Sequence, residues 1–424
     1  MTNSKLKFGS LDYAAFMGYL MYAGCVMVLP VILAPMAESL NFPLVDGNRG
    51  YGGAIHLWRS VAMFCVMICC AFIAGRFGKR ISLGFALIVC GTGLLLGSFA
   101  QSYLWIVLAV IFSALGQGGF ESLITPTVRE LHEKENPASY INITHAFWSI
   151  GVVVVVLTTG LLNDSGVSWR IILAAVGALT LFPGIVFLLK RPGQSVTAPP
   201  PQSAGSIFRC MTAVLKIGKF WLFLSCMFLA GGAEHCLSFW VPSFIQLEFG
   251  QNGFYCGLGT GCFAMGMIGG RLLAGALAKS VRAGKLVLFS AAASFLFSLF
   301  PPFLNSLPTF YLLLFLIGAG TGPLWPNIQN HCVETIDMDY STMYILLPCI
   351  GIPGCGFFTW LLGITGDYLP FRLGFLIVPA CYLSILLLSA FSLSRRARRR
   401  TPSHVFIDSY QKFKRGFLPW SIPK

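Results

Sequence analysis

Charged side chains are scarce in this sequence. They make up 10% of its 424 residues, against 56% hydrophobic ones, where a soluble globular domain carries about a quarter charged. That deficit excludes a water-facing surface over a core of this size. Mean hydropathy of +0.76 fits instead a chain whose outer surface meets lipid. The alternating polarity of outer-membrane strands is missing too. Apolar blocks of about twenty residues or more replace it, with "SVAMFCVMICCAFIA" and "GVVVVVLTTGLL" as examples. These features predict an all-α membrane protein.

Catalytic and metal-binding motifs are also absent. There is no Walker A sequence, no H-E-x-x-H and no nucleophile elbow, so the chain is not expected to be an enzyme or to hold a cofactor. The fourteen cysteines form no CxxC pair and no Cys/His array with metal spacing. Cys65, Cys69 and Cys70 read as small apolar residues at helix contacts, and neither a disulfide framework nor a structural metal is expected. A cleavable signal peptide is not expected either, because the first apolar block is too long and lacks a small-residue cleavage site.

What is present is about twelve apolar segments, the tenth covering roughly 307–333. Between the sixth and seventh lies "RPGQSVTAPPPQSAGSIFR", a Pro/Ser-rich stretch that reads as a flexible linker. The predicted organisation is a first six-helix bundle over 1–190, a linker over 191–216, a second six-helix bundle over 217–394 and a basic tail over 395–424. The net charge of +14 comes from basic residues between and after the apolar blocks. Arg76, Lys79 and Arg80 follow the second segment. Lys190, Arg191 and Arg209 lie in the linker, Lys279, Arg282 and Lys285 follow the eighth segment, and "SRRARRR" begins at Ser394. A smaller cluster, "KFKR", starts at Lys412. The opposite loops hold few (Arg49, Arg170 and Arg372). By the positive-inside rule both termini and the linker are cytoplasmic, in a multi-pass inner or plasma membrane. The tail then faces anionic lipid headgroups, and nucleic acid is not an expected partner.

Ionisable residues inside the apolar segments are the functional candidates. "GQGGFESLITP" puts Glu121 in the fourth segment, where an ionised carboxylate costs at least ~2.5–3.5 kcal/mol on insertion scales. A carboxyl that is neutral when sealed and charged when wetted can couple proton entry to an opening cavity. Thr125 and Gly118 share its face, and Pro126 frees a backbone carbonyl. In the fifth segment Asn142, His145 and Ser149 form one stripe at i, i+3 and i+7, with Trp148 offering an aromatic face to a sugar ring. The seventh carries Glu234 with Ser238, Trp240 and Pro242; His235 points elsewhere on that helix and reads as structural. Arg59 and His56 lie three apart in the outer half of the second segment, where Arg59 either snorkels to the headgroups or faces a cavity as an anion clamp. Trp325 and Asn327 in "WPNIQNHC" are candidates from the tenth; Gln329 and His331 lie nearer the cytoplasm and read as caps. Tyr19 and Tyr22 lie one turn apart in the first.

The two halves echo each other at an offset of about 200 residues. Pro30 corresponds to Pro242, and "GQGGFESLITP" to "GAGTGPLWP". Six plus six segments around a cytoplasmic linker resemble the major facilitator superfamily. "AGRFGKR" resembles that superfamily's signature loop and "GGRLLAGALAK" its second-half version. The resemblance implies a gating role for Arg76, Gly78, Arg80 and Arg271. It departs at Gly75, which stands where the signature has an aspartate, so the bracing of the inward-closed state has to come from elsewhere.

Within the superfamily, "GQGGFESLITPTV", "INITHAFWSIG" and "GGAEHCLSFWVPSF" resemble the fucose-permease-like group of sugar:proton symporters. Those segments imply substrate contacts from Glu121, Asn142, His145, Trp148, Glu234 and Trp240; Tyr22, Trp325, Asn327 and Arg59 join them as candidates on their own chemistry, Arg59 as the anion clamp. Proton coupling would involve Glu121, Glu234 and His145. Fucose permease itself has an acid four residues before the first-helix proline, where this chain has Val26, so a two-carboxylate relay does not carry over. The expected function is proton-coupled uptake of a sugar or polyol by alternating access, driven by the proton gradient, in a monomer. An organic-anion or drug transporter using Arg59, and a sensor that binds without transporting, are the alternatives.

Overall fold

The computed structural model describes residues 6–42, 50–189, 204–251, 253–338 and 340–398. Twelve helices among them are long and apolar enough to cross a membrane, and no strand occurs among the described residues. The first bundle comprises α1 (Ser10–Ser39), α2 (Gly50–Phe77), α3 (Lys79–Ser98), α4 (Tyr103–Leu131), α5 (Pro137–Asp164) and α6 (Trp169–Leu189). After the connecting helix α7 (Ala204–Leu215), the second comprises α8 (Gly218–Phe249), α9 (Gly253–Leu277), α10 (Ala283–Ser298), α11 (Leu307–Thr321), α12 (Leu324–Thr335), α13 (Tyr340–Tyr368), α14 (Phe371–Gly374) and α15 (Ile377–Arg398). Lys190, Arg191, Arg49 and the tail beyond Arg398, Lys412 included, lie outside the described residues.

Local chemistry marks the helix ends. Ser102 Oγ accepts the Trp105 amide at 3.3 Å and caps α4. Pro137 opens α5, at a position where its missing N–H costs nothing. Gly250, with φ +64°, closes α8. Large apolar side chains such as Phe85, Phe182, Phe289 and Leu387 stand exposed on the outside, as a lipid-facing surface requires.

Two sequence expectations change here. The tenth segment is two helices, α11 and α12, separated at Gly322 and Pro323. Pro326 has no N–H to give the carbonyl four residues earlier, so the Gly322 oxygen is left for another donor. The linker is not unstructured throughout: residues 204–215 form α7, because Met211 and Val214, three apart, bury one face beside α2, α8 and α13.

The bundles meet along two long seams, α5 against α9 and α2 against α13. On the face where α1 begins, polar ties close the seam. Lys79 pairs with Glu130 of its own bundle and donates to Ser341 Oγ of the other at 2.9 Å. Ser139 Oγ donates to the Gly275 carbonyl at 2.8 Å, and the Arg129 guanidinium lies 4.9 Å from the Tyr340 ring centre. On the opposite face, Asp164 Oδ2 accepts the Phe254 amide at 2.9 Å. A cavity of about 480 Å³ remains there, lined by Pro30, Pro35, Trp240, Pro242 and Gln246 among others. The two echoing prolines thus border one vestibule.

Candidate functional site

Side chains from both bundles converge on a small cavity of about 30 Å³ between them, room for little more than one water molecule. Tyr19 and Tyr22 of α1, Glu121 of α4, and His145 and Trp148 of α5 line it from the first bundle. Glu234 and His235 of α8, Arg271 of α9, Trp325 of α12 and Ile352 of α13 line it from the second. Every charged group in this wall is buried.

Glu121 is reached across the bundle interface. The Trp325 indole donates to its Oε1 at 3.1 Å. Glu234 shares the cavity with Trp148 of the first bundle and has the Arg271 guanidinium 3.5 Å away in its own bundle. His145 Nε2 lies 3.2 Å from Tyr19 Oη and 3.1 Å from Thr125 Oγ1. The face shared by Glu121 and Thr125 therefore meets the polar stripe of α5. The glycines of "GQGGF" serve helix packing: a Cβ on Gly118 would stand 2.7 Å from the Met63 carbonyl oxygen of α2.

Arg271 is the main correction to the sequence reading. The signature resemblance places it in a gating loop, but it sits inside α9 and is 2% exposed. It donates through Nε to Gly322 O at 2.8 Å, and through Nη1 to His145 O at 2.9 Å and Ser149 Oγ at 2.6 Å. The carbonyl freed by Pro326 is thus taken up by a guanidinium that also ties α9 to α5. The loop residues proper are separate from this site. Gly78, at φ +81°, turns α2 into α3. Arg80 donates to Phe187 O at 2.5 Å and Leu188 O at 3.0 Å within the first bundle. Arg76 is exposed beside Phe77.

Other candidates also move. Asn142 and Asn327 are not among the residues lining the cavity. They form a reciprocal amide pair across the bundles, at 3.4 Å and 3.2 Å, so each already supplies the donor and acceptor its partner needs. Trp240 borders the outer vestibule and donates to Thr359 O at 2.8 Å. Arg59 does not snorkel: it is 1% exposed and donates to Gln117 Oε1 at 2.8 Å. His235, expected to point away, lines the cavity. Ile352 had no local signal, being one apolar residue in an apolar helix.

The fold, as a whole, has known counterparts. A family model described as Major Facilitator Superfamily matches residues 15–345. No curated protein matches the chain at a significant level. Among solved structures, a Major Facilitator Superfamily transporter, FucP, in the outward conformation is similar with a TM-score of 0.68 and 16% identity, covering 90% of this chain and 98% of that one. A variant of the E. coli fucose:proton symporter, FucP, gives 0.69 and 15% over the same shares of the two chains. At such identity the likeness is one of fold.

Proposed function

This chain belongs to the major facilitator superfamily, and we propose that it takes up a sugar or sugar-like polyol together with protons by alternating access. The observation that carries the reading is the central cavity, where two buried carboxylates, an imidazole and two indoles from opposite bundles meet. The fold likeness to a fucose:proton symporter points the same way. Indoles offer flat apolar faces to the C–H side of a sugar ring, and carboxylates and imidazole offer acceptors and donors to its hydroxyls.

In this mechanism the face bearing the α1 start is cytoplasmic and closed by Lys79, Ser341 and the Asn142–Asn327 pair, while the vestibule opposite admits substrate. Glu121 takes the proton, with Glu234 and His145 as its partners in coupling. Binding loosens the Trp325–Glu121 tie, and the bundles rock about the α5–α9 and α2–α13 seams. The proton gradient supplies the energy without a cofactor. The protein works as a monomer in the inner or plasma membrane, its basic tail resting on anionic headgroups.

Proteoliposomes given an inward proton gradient test this. Labelled sugar is expected to accumulate, and Glu121→Gln to abolish accumulation. No accumulation of any sugar by the wild type, or full accumulation by Glu121→Gln, rejects the proposal.

A further inference from the structure

One guanidinium near the cavity has no carboxylate in direct contact. Arg271 has the Glu234 carboxylate at 3.5 Å, but no carboxylate among the described residues pairs with Arg59. Its partners are neutral: Gln117 Oε1 at 2.8 Å, Met63 Sδ at 3.4 Å and His56 Nε2 at 3.3 Å, with the Tyr22 side chain nearby. Its Nε donor has no hydrogen-bond partner, and neither has Nδ1 of His235. The His235 ring lies 5.4 Å from that of His56. A buried guanidinium surrounded only by dipoles, with a donor to spare, is an incomplete site.

Arg59 stands one side chain behind the cavity wall. Tyr22 and His235 both line the cavity and both belong to this cluster. The cavity is too small for a sugar as it stands, so substrate entry has to displace wall residues. Displacing these two uncovers the guanidinium.

We infer that the substrate supplies the missing charge: it is a hydroxylated monocarboxylate, a sugar acid, whose carboxylate pairs with Arg59 while its hydroxyls face Glu121, Glu234 and the indoles. The planar guanidinium fork matches a carboxylate with two parallel hydrogen bonds. The charge count of the site agrees. Without substrate, two buried carboxylates face two buried guanidiniums, and the neighbouring His56, His145, His235, Tyr19, Tyr22 and Cys355 add nothing when neutral. A proton on Glu121 then leaves one positive charge in excess, which a monoanion neutralises. Proton and anion therefore cross together without net charge. This inference rests on the proton-coupled reading of the central site.

The test uses the full-length protein in proteoliposomes, with potassium glucuronate, glucose, fucose and potassium chloride as probes. Glucuronate is expected to bind at least tenfold more tightly than either neutral sugar, and to accumulate under a proton gradient without a capacitive current. Arg59→Gln is expected to bring the glucuronate-to-glucose preference close to one, and Arg59→Lys to leave an intermediate preference. Neutral sugars that bind as well as glucuronate, with uptake that carries current, overturn this inference and leave the sugar-uptake proposal standing. Chloride binding that depends on Arg59, with no preference for glucuronate, assigns the site to an inorganic ion and also overturns it. Binding of none of the organic probes removes both. If Arg59→Gln fails to fold, the wild-type preference and the current still decide the matter.

Discussion

Trp325 of α12 donates its indole N–H to Glu121 Oε1 of α4 at 3.1 Å, joining residues 204 positions apart across the two bundles. The second carboxylate, Glu234, shares the cavity with Trp148 of the first bundle. The second bundle thus holds the first bundle's acid through an aromatic donor. A group that changes charge and also fastens the interface can link a proton to a conformational step.

Trp325→Phe separates those two roles, since it keeps the ring and deletes only the donor. A hydrogen bond to a charged group contributes about 1.5–3 kcal/mol, so proton-driven uptake should fall on the order of 10- to 100-fold. Glu121→Gln keeps an acceptor for the indole but cannot ionise, so it should lose driven uptake while retaining exchange of labelled for unlabelled substrate. Parallel measurements of uptake and exchange check both outcomes.

Arg271→Ala should be the most damaging single change in the site. It leaves Glu234 buried without its cation, a defect worth about 3–5 kcal/mol, and strips Gly322 O of its donor. Arg271→Lys keeps the charge but cannot serve Gly322 O, His145 O and Ser149 together, so thermal unfolding should place it between Ala and wild type. Adding Glu234→Gln to Arg271→Ala should recover part of the lost stability, because the uncompensated charge is gone. No recovery in that double variant would mean the guanidinium acts mainly through its backbone contacts.

The two ties on the α1 face should respond differently. Lys79 and Glu130 are partly exposed, and such pairs contribute about 0–1 kcal/mol. Lys79→Ala should therefore leave the unfolding temperature nearly unchanged while hydrogen exchange at the starts of α3 and α13 speeds up. Asn142→Ala leaves a fully buried Asn327 amide without its partner, a cost of about 1–3 kcal/mol, and should lower the unfolding temperature as well.

How much of this was legible in the sequence follows from what each residue needs locally. Glu121, Glu234, His145, Trp148 and Trp325 stood out because a polar group in an apolar helix requires a partner, and the structure brings all five to one cavity. Partner identity was not legible. Asn142 and Asn327, 185 positions apart, satisfy each other instead of facing the cavity, and only the register of α5 against α12 decides that. Arg271 reads as part of a loop signature because the pattern around it is glycine-rich and ends in a lysine. Its burial depends on α9 continuing to Leu277. The break in the tenth span was written in Pro323 and Pro326, but the role of the freed carbonyl became clear only with Arg271 beside it.

Glycine packing gives the sharpest contrast between two similar substitutions. At Gly118 a Cβ would stand 2.7 Å from the Met63 carbonyl oxygen and 2.5 Å from Val66 Cγ1, whereas at Gly269 it meets nothing within 4 Å. Both lie in membrane-spanning helices, so intrinsic helix propensity acts alike on the two. Gly118→Ala has to push α2 away from α4, and overpacking of this kind costs about 1–3 kcal/mol. The displaced segment of α2 carries Arg59, which reaches Gln117 only because the helices are this close. Gly118→Ala should therefore lower the unfolding temperature and weaken substrate binding together, while Gly269→Ala leaves binding unchanged and does not lower the unfolding temperature. Thermal unfolding and equilibrium binding on the two purified variants check this. Equal behaviour of the pair would show that the α2–α4 contact is not what holds Arg59 in place.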